Sequence, residues 1–522
     1  MKVSKEDSLN KRYFAKITGS LIVIPIGFIT SAIIPRSLGP TYYGQFTFLT
    51  GIFSKMFELT QAGFPTAYYT KLSQNLNEKG IIKFFFGFRF ICSITIAILT
   101  SIIFLLNFQE YVWPNQNIKF IYMALFFSIL ALFSNTASNT VDALGLTVKG
   151  EMISVLQKYI GFCIILLLFF LWKIDITIFF FYQYFSSIFL LFGCYYVMSK
   201  GGVRILSIPP LTRVQIKRYI SEFWVYSNPL IVLGFITSVT SILDLWMLEK
   251  FSGSIQQGYY GLAVKIAAIT FLFSRAMTPL ITREFSVAFG KGDLSRMKIL
   301  FKRYIPLLYT IAAFICVFIS VEASTVSVLY GGDKYRDASF TISIFAFYPI
   351  HQTYGQLSGA VFLATGQTKL HRNITGIMRI GGLLLSFFLL APTSYYGFDM
   401  GAQGLAIKML IYQFLLVNIQ LYYNSKYLSM KLSTLIYHQI IVIGIFFLFA
   451  AMTTYLSDIL TSSVILSFFI SGTLYLLLCS ALIYKYPRLV SASREEIDKF
   501  KKKLVIRLQK RISTKKSDSH KL

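Results

Sequence analysis

Apolar runs of about 20 residues, separated by short polar connections, recur from one end of the chain to the other. A helix that long spans the ~30 Å hydrocarbon layer of a bilayer. Residues 160–172 and 435–451 are apolar almost throughout. Membrane β-strands would alternate at period two, so the pattern predicts helices, which also satisfy their own backbone inside lipid. Fourteen spans are expected, near 15–35, 45–66, 83–107, 118–138, 152–172, 176–198, 223–247, 261–283, 304–322, 339–364, 373–391, 404–423, 434–455 and 463–484. No connection is long enough for a soluble domain.

Composition agrees. Hydrophobic residues make up 55% of the 522-residue chain and charged ones 14%, against about 25% charged in a soluble domain. The net charge of +28 is explained by topology. With the N-terminus inside, the inner segments collect Lys2, Lys5, Lys11, Arg12, Lys71, Lys79, Lys200, Arg204, Arg213, Lys217, Arg218, Arg296, Lys298 and Lys302. The outer segments hold few basic residues: Arg36, Lys173, Lys250, Lys334 and Arg336. Basic residues stay preferentially on the cytoplasmic side, so both termini are expected inside. No nucleic-acid partner and no secretory signal are expected. Cys92, Cys163, Cys194, Cys316 and Cys479 lie within spans without metal-ligand spacing and read as packing residues.

The chain repeats itself. Leu21-Ile22-Val23 followed by Gly27-Phe28-Ile29-Thr30-Ser31 returns as Leu230-Ile231-Val232 followed by Gly234-Phe235-Ile236-Thr237-Ser238. Tyr42-Tyr43-Gly44 returns as Tyr259-Tyr260-Gly261, and Lys79-Gly80 as Lys291-Gly292. An even number of spans separates the copies, which predicts a parallel repeat about the membrane normal with the substrate site between the copies. The expected organisation is an N-terminal lobe over 1–198, a cytoplasmic linker over 199–222 and a C-terminal lobe over 223–423. Two further spans over 424–484 and a basic cytoplasmic tail over 485–522 complete it. Residues 494–512 place Ile497, Phe500, Leu504, Leu508 and Ile512 on one helical face amid basic residues, a pattern suited to the anionic inner leaflet.

Ile34-Pro35-Arg36-Ser37-Leu38-Gly39-Pro40-Thr41-Tyr42-Tyr43-Gly44, with Gly63, Ala67 and Lys71 beyond it, resembles a signature of the O-antigen and capsule polysaccharide repeat-unit flippases. These belong to the multidrug/oligosaccharidyl-lipid/polysaccharide exporter superfamily. The resemblance implies an all-α polytopic membrane protein with two six-helix lobes in a V-shape plus two extra C-terminal helices. It implies translocation of undecaprenyl-pyrophosphate-linked oligosaccharide from the inner to the outer leaflet of a bacterial inner membrane. A polysaccharide polymerase and a chain-length regulator are the protein partners to expect, with membrane lipids around a monomer.

Ionisable residues within spans are costly, at roughly 2.5–3.5 kcal/mol at mid-bilayer, and usually face a cavity or a partner. Lys55 and Glu58 stand three apart in span two and can pair. Lys265 and Arg275 lie in span eight and Asp244 in span seven. Arg89, Arg379 and Lys408 lie within two turns of a span end, where long cationic side chains can snorkel. The candidate substrate-binding residues are Arg36, Lys55, Arg89, Lys265, Arg275 and Lys408, since cations can replace the hydration of a pyrophosphate. Glu58 and Asp244 are the candidates for ion coupling.

No phosphate-binding loop and no H-E-x-x-H pattern is present, so neither an enzyme nor a cofactor or metal is expected. Two transport readings remain as alternatives: a lipid II flippase for peptidoglycan and a drug/cation antiporter of the same superfamily. Among the deep and near-end candidates, cations outnumber acids, which favours an anionic cargo.

Overall fold

In the computed structural model the backbone is described for residues 9–491, apart from 62 and 172, and for 494 and 495. Side chains are described from residue 18 on, except at 20, 21, 24, 206, 229, 230, 272–276 and 279. The amphipathic tail thus lies outside the described residues. Every regular element in the described part is helical, and the fourteen expected spans all fall on helices. Ten helices there are long and apolar enough to cross a membrane.

The pattern of exposure is that of a membrane protein. On α3 (Gly80–Leu105) the buried residues include Arg89, Ser93 and Thr100, while Phe90, Ile91, Ile94 and Ile98 are exposed. Water would reverse that arrangement; lipid favours it. Of the cysteines, Cys92, Cys194, Cys316 and Cys479 are buried as packing residues, whereas Cys163 is exposed.

The first pair of spans departs from expectation. No loop separates them: α1 (Leu9–Gln61) runs through both, broken only at Gly39 with φ 70° and ψ 172°. The same happens at spans seven and eight, where α8 (Arg213–Ala267) is broken only at Gly253 with φ 76° and ψ 177°. A positive φ with extended ψ is accessible almost only to glycine, so each glycine permits a sharp change of direction without a loop. The two kinks stand 214 positions apart. This corrects the register suggested by the Tyr-Tyr-Gly match: the structural counterpart of Gly44 is Gly258, not Gly261. Helix α8 also begins ten residues before the expected span, so half of the expected linker is helical.

Spans two, eight and ten are broken further along. Helix α2 (Phe64–Gln74) starts after Gly63, which has φ 79°, with Pro65 in its first turn. Residues 268–270 are turns that separate α8 from α9 (Phe271–Gly290). Span ten divides into α12 (Ser339–Phe345) and α13 (Tyr348–Ala364), the latter with Pro349 in its first turn, where its missing N–H costs nothing. Between these stand α4 (Gln109–Val112), α5 (Ile118–Ala143), α6 (Thr147–Leu171), α7 (Ile176–Lys200), α10 (Leu294–Val321) and α11 (Ala323–Gly331). The chain closes with α14 (Thr368–Leu390), α15 (Gly401–Tyr427), α16 (Leu432–Leu460) and α17 (Val464–Lys485).

The helices form two compact units. One comprises Met1–Lys265, Ser327–Thr341 and Thr375–Lys408; the other holds Ile266–Val326, Ile342–Ile374 and Met409–Leu522. In the first, α1 packs on α3, α5 and α6, and α5 on α7. A core of Tyr68, Phe85, Leu144 and Phe223 lies away from the two glycine kinks, with Tyr68 stacked on Phe85 at 4.0 Å. Nearby, Glu78 binds Arg218 and, at 3.0 Å, Tyr219, while Lys79 and Lys83 donate to the carbonyls of Gly202 and Ile208 at 2.7 and 2.6 Å. Several basic residues that mark this end in the sequence therefore tie the linker down. In the second unit, α10 packs against α9, α13 and α16. Glu322, at the end of α10, accepts hydrogen bonds from Thr454 and Ser471 at 2.8 and 2.7 Å, which fastens the last two helices to it.

Candidate functional site

Three polar sites lie within the first unit. The first is a cavity of about 480 Å³ between α1, α3 and α5. Helix α1 contributes Thr47, Thr50, Ser54, Glu58 and Gln61, which recur every three or four residues and so share one face. Helix α5 contributes Ser128, Ala131 and Asn135 at the same spacing, with Phe127 and Leu132 next to them, and α3 contributes Arg89. Arg89 is 5% exposed, its guanidinium lies 4.8 Å from the Phe85 ring, and its Nε and Nη1 have no hydrogen-bond partner. Snorkelling is overturned here. Nine residues into α3, about 13 Å from its start, Arg89 turns toward α1 and α5. Lys55 and Glu58 do form the expected ion pair, at 2.7 Å, with 30% and 47% of their side chains exposed.

The second site joins α8, α14 and α15. Asp244 accepts from the Lys408 ammonium at 2.5 Å through Oδ2 and from the Ser386 hydroxyl at 2.6 Å through Oδ1. Lys408 is 2% exposed, so it does not snorkel either; it neutralises a buried acid. Both oxygens of Asp244 are engaged, and Arg379 on α14 acts electrostatically on Lys408. A substrate or a coupling ion at either residue would first have to open this pair.

The third site lies by the kinks. Glu249 is fully buried. Its Oε1 accepts from Gln116 Nε2 at 2.7 Å and from the Ser254 hydroxyl, while Oε2 has no partner. Close by, Trp246 Nε1 donates to the Tyr111 carbonyl at 2.6 Å, and Tyr335 packs edge-on against Tyr43 and Tyr259. Arg36 is a strap at this end: its Nη2 donates to the Val328 carbonyl at 2.8 Å. Glu249 is absent from the sequence candidates because it stands two residues beyond the expected end of span seven.

Two cations also stand at mid-depth. Lys265 is exposed and feels the charge of Lys158 on α6, also exposed. Lys265 lies twelve residues past the Gly253 kink and Lys158 eleven past the start of α6, about 18 and 16 Å along their helices. Among the described residues neither has an acidic partner. Lys158 is the residue that the sequence reading passed over, although a lysine inside an apolar run of 152–172 was a visible signal. Arg275 lies on α9, four residues past its start; its side chain is outside the described residues.

The chain resembles several solved transporters. It superposes on a lipid II flippase in an inward closed conformation with a TM-score of 0.66 and 9% identity, covering 90% of this chain and 98% of that one. An inward-facing multidrug resistance transporter of the MATE family, in the MOP superfamily, gives 0.61 at 14% identity, covering 79% and 94%. A MOP superfamily transporter from Pyrococcus furiosus gives 0.53 at 14% identity, covering 80% and 96%. A search of curated proteins finds no match. These neighbours are transporters and a flippase, not enzymes, and the chain shares their fold. It is a multi-pass membrane protein, and, with residues 9–283 matching the family's model, it belongs to the polysaccharide biosynthesis protein family.

Proposed function

We propose that this protein is a flippase for undecaprenyl-pyrophosphate-linked oligosaccharide repeat units. It moves them from the cytoplasmic to the outer leaflet of a bacterial inner membrane for O-antigen or capsule synthesis. Both termini are cytoplasmic, so the glycine kinks face outward. Family membership supports a role in polysaccharide biosynthesis. The observation that carries the reading is that Lys158 and Lys265 stand at similar depth, about 16 and 18 Å along their helices, within reach of each other's charge and without an acidic partner among the described residues. Two like charges held in a low-dielectric layer repel one another and are costly there. A pyrophosphate between them would reverse the sign of that interaction and replace its lost water with charge-assisted hydrogen bonds. Arg275, ten residues beyond Lys265 in the sequence, is kept as a candidate substrate-binding residue in its own right.

The test uses cells in which this protein is the sole exporter of their surface polysaccharide. Lys158→Ala/Lys265→Ala should abolish the polymer while the protein accumulates normally. Wild-type polymer at wild-type protein levels would overturn the reading. Deletion should leave cells alive and bare; lethality with accumulation of lipid II would assign the protein to peptidoglycan instead.

A further inference from the structure

We propose that the cavity between α1, α3 and α5 is a sugar subsite, which takes one part of the lipid-linked saccharide while the Lys158 and Lys265 pair takes the pyrophosphate. This rests on the functional reading above and divides its substrate between two places.

Charge comes first. The ionised groups on the cavity lining are Arg89 and Glu58, the latter already paired with Lys55, so the lining itself offers one base and one acid. A pyrophosphate would gain little there and would face a carboxylate. A cationic drug would face a buried guanidinium. A polyol without net charge meets neither penalty. Hydrogen-bonding capacity is second. Arg89 offers donors only and Glu58 acceptors only, whereas Gln61, Asn135, Ser54 and Ser128 offer both. Each sugar hydroxyl also donates and accepts, so the mixture matches a ring bearing several of them. Shape is third. Phe57 and Phe127 also line the cavity, and an aromatic ring covers the apolar C–H face of a pyranose. The volume of about 480 Å³ falls within the roughly 300–1,000 Å³ of small-molecule sites.

Arg89 provides the independent sign of a ligand. It is 95% buried, yet Nε and Nη1 remain unpaired. Burying such donors without acceptors is costly. Packing on Phe85 fixes the guanidinium plane, so the fork is held ready for sugar oxygens at little entropic cost on binding.

The experiment uses the purified full-length protein in nanodiscs and two probes. One is the repeat-unit oligosaccharide cut from the host's own surface polysaccharide, free of lipid and phosphate; the other is inorganic pyrophosphate. Calorimetry should detect both. Asn135→Leu and Gln61→Leu, which alter cavity walls without disturbing Arg89, should each weaken the oligosaccharide about tenfold, the worth of one well-made hydrogen bond, and leave pyrophosphate unchanged. Arg89→Lys should fall between wild type and Arg89→Leu for the oligosaccharide, because the charge stays and the fork goes. Lys158→Ala/Lys265→Ala should do the reverse and lose pyrophosphate alone. Oligosaccharide binding unchanged in both leucine variants would overturn the sugar subsite while leaving the flippase intact. Failure of wild type to bind either probe, together with normal export by the double alanine variant, would overturn the flippase reading itself.

Discussion

Gly44 and Gly258 make reciprocal backbone contacts across the crossing of α1 and α8. A Cβ added at Gly44 would lie 1.8 Å from the Ser254 carbonyl oxygen, and one at Gly258 would lie 2.1 Å from that of Pro40. Pro40 and Ser254 each follow a kink glycine directly, and Gly44 and Gly258 each stand five residues past one. The crossing is thus locally symmetric, with each helix presenting its glycine to the other's first carbonyl beyond the kink. In a membrane such close approach is where helices gain dispersion energy, since lipid offers no hydrophobic drive between them.

Gly44→Ala and Gly258→Ala should each destabilise the solubilised protein by about 3 kcal/mol or more, at the upper end of overpacking costs. The atoms in the way are backbone and cannot rotate aside. Gly27→Ala and Gly234→Ala, whose added Cβ would meet nothing within 4 Å, should be neutral or slightly stabilising, as expected for alanine in a helix. Thermal unfolding in detergent distinguishes the two pairs; equal melting temperatures for all four would remove the crossing from the stability of the fold.

The pair of Asp244 and Lys408 should behave as one unit. Removing either partner alone leaves a buried charge and should cost about 3–5 kcal/mol. Asp244→Asn/Lys408→Met removes both charges and should recover most of that loss. A denaturation cycle over wild type, the two single variants and the double variant measures the coupling, and additive losses would show the pair to be independent.

Glu249 invites an isosteric replacement. Its Oε2 is buried without a partner, so Glu249→Gln removes the possibility of a bare charge while keeping the shape that meets Gln116. It should unfold at or above the wild-type temperature. Glu249→Ala takes from the Gln116 amide its shortest acceptor, leaving the longer contacts to Pro114 and Ser254 at 3.3 Å, and opens space, and should lose about 1–3 kcal/mol. A glutamine variant less stable than the alanine variant would contradict this account of the site.

Glu322→Ala deprives the hydroxyls of Thr454 and Ser471 of their shared acceptor. A loss of about 1–3 kcal/mol is expected, and Thr454→Val/Ser471→Ala added to it should cost little more. Protease cleavage in the connection before α16 should become faster in Glu322→Ala if that carboxylate fastens the final helices.

Topology can be checked independently of any site. A reporter active only outside the cell, fused after Leu522, should be silent, and one inserted in the connection after Pro392 should be active. The opposite outcome would invert the orientation drawn from the basic residues.

The amino-acid sequence by itself determined that this is an all-helical membrane protein and where its spans fall. Both follow from one-dimensional quantities: the length of apolar runs and the spacing of charge. It also determined the pairing of Lys55 with Glu58, because residues three apart on a helix are neighbours whatever surrounds them. Tertiary structure alone decided the rest. Arg36-Ser37-Leu38-Gly39 reads as a loop until the single left-handed glycine shows that the helix continues through it. Arg89 and Lys408 read as snorkelling from their distance to a span end. That distance gives depth and says nothing of azimuth, and azimuth turns one toward a polar cavity and the other onto Asp244, 164 positions away. Lys158 acquires meaning only when Lys265 comes within reach of its charge, and Glu249 only when Gln116 binds it, 133 positions away. Burial and partnership in a helical membrane protein depend on how faces rotate against each other, a relation between distant segments that no local pattern encodes.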